Sequence, residues 1–325
     1  MKAVVQDVYG SADTLRFGDI EMPVIGDDEV LVRVRAAGVD RGVWHLMTGH
    51  PYLVRLMGMG VRRPKVPVRG RDLSGVVEAV GSRVTRFRPG DEVYGVSTFG
   101  SFAEYARSRE IDLARKPTNL TFEQAAAVPV SGMTALQGLR DVGRVQPGQQ
   151  VLVIGAAGGV GSFAVQLAHA LGARVTGMCS TAKIDLVRSI GAEDVIDYTR
   201  EEVDARGPQF DLIIDTGGRR PLSLLRRALT SHGTLAIVGG EGGGRWLGGF
   251  DRQILRAPVR SAFSGQRLRA VVAKERTDDL EYLTALIEEG KVTPVIDRTF
   301  PLRKAPEAIR YLAQGHPGGK IVVTV

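Results

Sequence analysis

Residues 150–172, QVLVIGAAGGVGSFAVQLAHALG, run from an apolar strand through a glycine-rich turn straight into a helix, and no other stretch restricts the fold as tightly. The strand Val151–Ile154 ends at Gly155, and a helix over Gly159–Leu171 begins before the glycines stop. This is the dinucleotide-binding fingerprint, with Ala156 in its first glycine position, Gly158 in its second and Gly161 in its third. Gly158 lets the backbone approach a pyrophosphate, which then sits among the unpaired N–H groups of the helix N-terminus. Ala157, Gly159 and Val160 complete the turn, and Gly161 permits close packing of helix on strand. Further strands at Arg174–Cys179, Asp194–Ile196, Asp211–Asp215 and Thr234–Val238 alternate with helices at Ala182–Ile190 and Pro221–Leu229. That rhythm predicts an α/β, doubly wound parallel sheet with right-handed crossovers.

The residues after the second strand bear on which dinucleotide fits. An NAD site places Asp or Glu there to bond the ribose 2′-hydroxyl. This chain has Gly177-Met178-Cys179-Ser180-Thr181-Ala182-Lys183, with no acid before Asp185. Ser180 and Lys183 offer hydrogen bonds and charge to a 2′-phosphate, so NADPH is the expected cofactor.

Outside this region the texture changes. The first 115 residues are β-rich, with runs at Ala3–Val5, Val30–Val34, Leu73–Val80 and Phe102–Ala106 broken by turn residues. One helical or irregular excursion, Asp40–Gly60, carries both aromatics and histidines. Thr121 and Gln124 have capping-box spacing, and Ser131 is positioned to cap a helix running toward Asp141. Gly239–Gly249 reads as a mobile loop. The tail resumes with Leu268–Ala273, an amphipathic helix through Leu280, Leu283, Leu286 and Ile287, a strand near Pro294–Phe300, a helix at Ala305–Ala313 and a terminal strand Lys320–Val325.

At 325 residues the chain is long enough for two domains. Its single cysteine, Cys179, excludes an intramolecular disulfide and any zinc site built from several thiolates. Five histidines are scattered without metal-ligand spacing. No apolar run is long enough for a membrane span, so a cytoplasmic protein is expected. The net charge of +7 raises nucleic acid as a partner, but there is no RRM, KH or aromatic-rich basic stripe to receive it.

Several blocks in order then carry a resemblance over the whole length: GRDLSGVVEAVGSRVTRFRPGDEVYG (70–95), AAAVPVSGMTALQGL (125–139), the AAGGVG turn, GAEDVIDY (191–198), DLIIDTGG (211–218) and the terminal GKIVVTV. The chain resembles the zinc-independent, quinone oxidoreductase-like branch of the medium-chain dehydrogenase/reductase superfamily. That resemblance implies a GroES-like β-barrel catalytic domain from residues 1–125 and 265–325, with a Rossmann NADP-binding domain, 126–264, inserted between. It implies that Lys183 and Tyr198 clamp the adenosine 2′-phosphate. Thr134 would lie near the nicotinamide, and Gly239, Gly240 and the backbone around Phe263 would hold the carboxamide end. Asp40–Tyr52 would line the substrate cleft, and a homodimer through the edge of the nucleotide-domain sheet is common in the family.

The departures from relatives are equally specific. Zinc-dependent members place a cysteine at Asp40 and a His-Glu pair where this chain has Arg71-Asp72, and the four-cysteine zinc lobe is missing; no metal site is expected. Zinc-free members often carry Asn at Asp40 and Asp at Val43. Zinc polarises a carbonyl in the metal enzymes. Without it, electron-poor quinones and α,β-unsaturated carbonyls are the acceptors that need only positioning, hydrogen-bond donors and a proton. His45 and Tyr52 are the candidate donors, with Asp40 orienting one of them. Two other readings remain: an enoyl thioester reductase using Arg62, Arg63 and Lys65 for CoA, and a nucleotide-bound scaffold or RNA-binding protein with vestigial activity.

Overall fold

The computed structural model describes residues 1–325 apart from 206, 241–243, 250, 252–255, 263–264 and 316. The chain divides into two compact units. One comprises Met1–Met133 with Glu275–Gly290 and Pro294–Val325; the other comprises Thr134–Lys274 with Lys291–Thr293.

The second unit is the doubly wound one. Its six strands are all parallel, in the order Asp194–Asp197, Arg174–Cys179, Gln150–Ile154, Phe210–Asp215, Leu229–Ile237 and Arg267–Ala270. Leu152, Ile154, Met178, Ile196, Ile213, Leu235 and Ile237 meet in one buried cluster, as expected of a sheet covered on both faces. The last strand corrects the sequence expectation, which set residues after 265 outside the wound region. Arg267–Ala270 pairs in parallel with Thr234–Ile237, and Leu268 is fully buried in this core. Its sequence, RLRA, alternates charge and apolar residue, a pattern that fits the rim of either sheet.

Both expected boundaries therefore move outward from the insert's C-terminus and inward from its N-terminus. Residues 126–133 stay with the first unit because Ala126 and Ala127 pack on Ala36 and Val322, and the Val130 N–H donates to Asp72 Oδ1 at 3.0 Å. Ser131 is not a helix cap. It lies inside the helix Pro129–Gln137, and its hydroxyl accepts a hydrogen bond from Lys320 Nζ at 3.1 Å.

The first unit holds a seven-stranded sheet around the long strand Glu29–Val39, which pairs with Lys320–Thr324, Asp72–Val80 and Tyr105–Arg109. The strand expected at Phe102–Ala106 is displaced to Tyr105–Arg109, because the preceding residues are drawn to the N-terminal strand: the Val4 N–H donates to Phe102 O at 2.8 Å, and Ala3 bridges Ala103. The helix Thr277–Glu288 buries Leu280, Leu283, Leu286 and Ile287 as its periodicity requires. Among the described residues, no helix is long and apolar enough to cross a membrane. Of the glycine-rich loop, 241–243 lie outside the described residues, while Gly244 and Gly248 form an isolated bridge.

Candidate functional site

The glycine turn is built as an open cradle. Gly155 has φ +76, a conformation suited to glycine, and the Gly155 and Ala156 N–H groups both donate to Met178 O, tying the turn to the next strand. Gly158 is the N-cap of the helix Gly159–Ala170 and supplies no capping side chain, so the first-turn N–H groups face outward without an intrahelical acceptor. A Cβ on Gly158 would meet only Gly155 O, at 3.3 Å; a Cβ on Gly161 would lie 2.0 Å from that same oxygen. One glycine leaves room for a ligand, and the other lets the helix touch the strand. Ala156 and Ala157 are buried beneath, and Gly159 and Val160 are half-buried.

Beside the turn, Ser180 occupies an N-cap position, yet its hydroxyl makes no capping bond. Lys183 closes the same short turn and is half-buried. The Tyr198 N–H donates to Cys179 O at 3.1 Å, which sets the tyrosine next to the end of the second strand. These three residues do come together at one sheet edge. The structure adds a carboxylate that the local sequence conceals: Asp197 is the register partner of Cys179 on the neighbouring strand. Hydrogen bonds from Thr181 and Thr199, with Arg200 close by, hold its pKa below the usual carboxylate range. Its charge is thus already engaged.

Thr134 is buried in the helix Pro129–Gln137, and the Gly239 N–H donates to Asp215 O. Gly240 O accepts from the Gly249 N–H. Phe263 lies outside the described residues.

On the first unit, Asp40 caps the helix Arg41–Thr48: its Oδ1 accepts from the Val43 N–H at 3.1 Å. It makes no hydrogen bond to His45 or Tyr52, so the expectation that it orients one of them is corrected; the N-terminus of the helix that begins at the next residue claims it instead. Its second oxygen, Oδ2, is buried without a partner. His45 Nδ1 lies 2.7 Å from His50 O. A carbonyl can only accept, so Nδ1 carries the proton. The Tyr52 ring lies 5.0 Å from that of His50, and Arg55 is held between two tyrosines, 4.8 Å from the Tyr52 centroid and 4.3 Å from that of Tyr9. Tyr9 and Arg55 escaped sequence reading because the contact joins residues far apart in the chain.

A buried ion pair lies behind Asp40. Lys320 Nζ contacts Asp72 Oδ2 at 2.9 Å, with the side chains 2% and 0% exposed. Burial raises the Asp72 carboxyl above its ordinary range, Lys320 opposes that, and Asp40 adds to it. Both Asp72 oxygens have partners, Val130 N–H on one and Lys320 on the other. Among the described residues, no three His, Cys, Asp or Glu groups converge on one point. This donor set does not fit a zinc ion.

Comparison with known proteins agrees with the geometry. Residues 26–118 match the alcohol dehydrogenase GroES-like domain family and residues 190–323 the zinc-binding dehydrogenase family. The chain is 32% identical to a chloroplastic quinone-oxidoreductase of Triphysaria versicolor, covering 99% of this chain and 98% of that protein. The chain belongs to the quinone oxidoreductase-like, zinc-independent branch of the medium-chain dehydrogenase/reductase superfamily. Within that superfamily it is also 35% identical to the NADPH-dependent alkenal/one oxidoreductase of Arabidopsis thaliana, over 99% of this chain and 79% of the relative. A solved quinone oxidoreductase from Coxiella burnetii superposes with a TM-score of 0.85 at 27% identity, covering 100% of this chain and 99% of that one. As a medium-chain dehydrogenase/reductase, the protein is an oxidoreductase that works with a nicotinamide cofactor.

Proposed function

We propose that this protein reduces quinones or α,β-unsaturated carbonyls, with NADPH as hydride donor and no metal. The observation that carries the metal-free reading is the engagement of both Asp72 oxygens by Lys320 and Val130. The carboxylate at a zinc-ligand position of related enzymes is already fully used. Substrates that are electron-poor by themselves then fit best. The printed activities of the relatives, a quinone-oxidoreductase and an alkenal/one oxidoreductase, support the same class.

The Gly158 cradle fits a dinucleotide. The turn Ala156–Gly161 would hold the pyrophosphate, Ser180, Lys183 and Tyr198 the 2′-phosphate, and Thr134, Gly239, Gly240 and the backbone at Phe263 the nicotinamide end. Reduced nicotinamide supplies a hydride when bound. Proton delivery falls to Tyr52 and His45, with Asp40 fixing the start of the His45 helix.

The test is NADPH oxidation with a quinone, an enone and an enoyl-CoA. Turnover of the first two with NADPH preferred over NADH supports the proposal. Arg62, Arg63 and Lys65 are exposed and close in sequence, which favours the enoyl thioester as the second reading; turnover of the CoA ester alone would establish it. No turnover of any of them would leave the scaffold or RNA-binding reading. The homodimer would form along the terminal strand Arg267–Ala270, and sedimentation at several concentrations tests it. A cytoplasmic location is proposed from the sequence alone, since relatives are named for chloroplasts and mitochondria.

A further inference from the structure

Arg220 lies five residues beyond the strand Phe210–Asp215, and Tyr198 directly follows the strand Asp194–Asp197. Two strands, Arg174–Cys179 and Gln150–Ile154, separate these in the sheet. At about 4.8 Å per strand, the two ends are some 14 Å apart. Yet Arg220 Cζ sits 5.6 Å from the centre of the Tyr198 ring. The Arg220 segment therefore reaches across the carboxyl ends of the two strands that carry the glycine turn and Ser180. In an open parallel sheet this is the crevice that receives the ligand.

The base of that segment is pinned. Thr216 N–H and Oγ1 both donate to Ile154 O, the last residue before the glycine turn, and the Gly218 N–H donates to the buried Asp215 at 3.0 Å. At its far end the guanidinium has no such anchor. Arg220 Nε is buried without a hydrogen-bond partner, and among the described residues the side chain makes a ring contact but no ion pair. Arg220 is half-buried, its unpartnered Nε is a donor for an anion, and the planar fork suits a phosphate.

We infer that Arg220 is a second cation for the adenosine 2′-phosphate, opposite Lys183, with the Tyr198 ring holding the guanidinium in place until the cofactor arrives. This rests on the NADPH reading above. It makes Arg220 a specificity residue that the local sequence, DTGGRRP, does not reveal.

Dissociation constants for NADPH and NADH, measured by fluorescence titration of wild type, Arg220→Ala, Arg220→Lys and Lys183→Ala at two salt concentrations, test it. Loss of one charge-assisted contact predicts NADPH binding weaker by roughly tenfold to a hundredfold in Arg220→Ala, with NADH within about twofold of wild type. Arg220→Lys should recover part of the loss, and the salt dependence of NADPH binding should flatten in Arg220→Ala. Intact NADH binding also shows that the variant is folded. Equal weakening of both cofactors would mean that Arg220 shapes the crevice as a whole and does not read the phosphate, and this would overturn the assignment. So would an NADPH preference that survives unchanged in Arg220→Ala. A wild-type preference for NADH would overturn the NADPH reading itself, and this inference with it.

Discussion

Replacing Lys320 with methionine removes a cation from one of the most enclosed places in the protein. The side chain is 2% exposed, its partner Asp72 is fully buried, and Ser131 and the Val130 N–H complete the surroundings. The lysine stem is replaced by an apolar chain of similar length, so the main change is an uncompensated carboxylate. Breaking a buried pair from one side costs about 3–5 kcal/mol. With urea m-values of about 1–3 kcal/mol per molar, the midpoint should fall by roughly 1–5 M. Trp44 packs against the core of this unit, and Trp246 is 71% exposed, so tryptophan fluorescence in a Trp246→Phe background reports the transition.

The pH dependence gives a second, independent reading. Burial already lifts the Asp72 carboxyl above its unfolded value, and Lys320 is the main influence opposing that lift. In Lys320→Met the folded state binds a proton more tightly than the unfolded chain does. Stability then rises as pH falls through the folded value toward the unfolded one. The deficit should be largest at pH 8 and shrink toward pH 5. Lys320→Met/Asp72→Asn, lacking both charges, should recover most of the loss and stay flat across that range. A deficit below about 1 kcal/mol at neutral pH, or a double variant no better than the single one, would refute the reasoning.

Other outcomes follow from distances already given. Gly158→Val should fold, because its Cβ meets only one backbone oxygen, but lose dinucleotide affinity; Gly161→Ala should destabilise the nucleotide unit itself, as differential unfolding and cofactor titration together will show. His45→Ala and Tyr52→Phe should each slow enone reduction more than quinone reduction, because an enone needs a proton on carbon; equal small effects in the kinetics would make both residues packing elements. Cys179 is buried, and burial with the nearby Asp197 charge pushes its thiol up to about 11, so a thiol reagent at pH 8 should label the protein only after unfolding.

What could be read from the sequence was local. Arg174–Cys179 and Ala305–Ala313 appear where apolar pattern and flanking turn residues place them. The capping box closes as drawn: Thr121 Oγ1 accepts from the Gln124 N–H, and Gln124 Oε1 accepts from the Thr121 N–H. The glycine turn could be read because its chemistry lies within seven consecutive residues. Most of the failures are long-range. Lys320 looks like the polar start of a terminal strand until Asp72, 248 residues earlier, is set beside it. Arg267–Ala270 has no mark of its own that says which sheet it joins. Asp40 stands at a position that suggests a site, yet the helix beginning at Arg41 supplies a nearer donor. Arg55 between Tyr9 and Tyr52 depends on a fold that brings residue 9 to residue 55.

The Asp40 and Asp72 positions also explain why the chemistry tilts toward activated acceptors. By the resemblance, zinc-dependent relatives use these places to hold an ion that pulls on a carbonyl oxygen. Here a positive charge is still present, as the Lys320 ammonium, but it is shared between Asp72 and Ser131 and shut away from solvent. It neutralises a carboxylate and ties the terminal strand to the strand Asp72–Val80. It is not presented to a substrate. Asp40 likewise spends one oxygen on the Val43 N–H, so the His45 helix starts at a fixed point. Of these two positions, Asp72 braces the terminal strand and Asp40 the start of the helix Arg41–Thr48. The electrophilic assistance that a metal would give must then come from the substrate, and quinones and enones bring it with them.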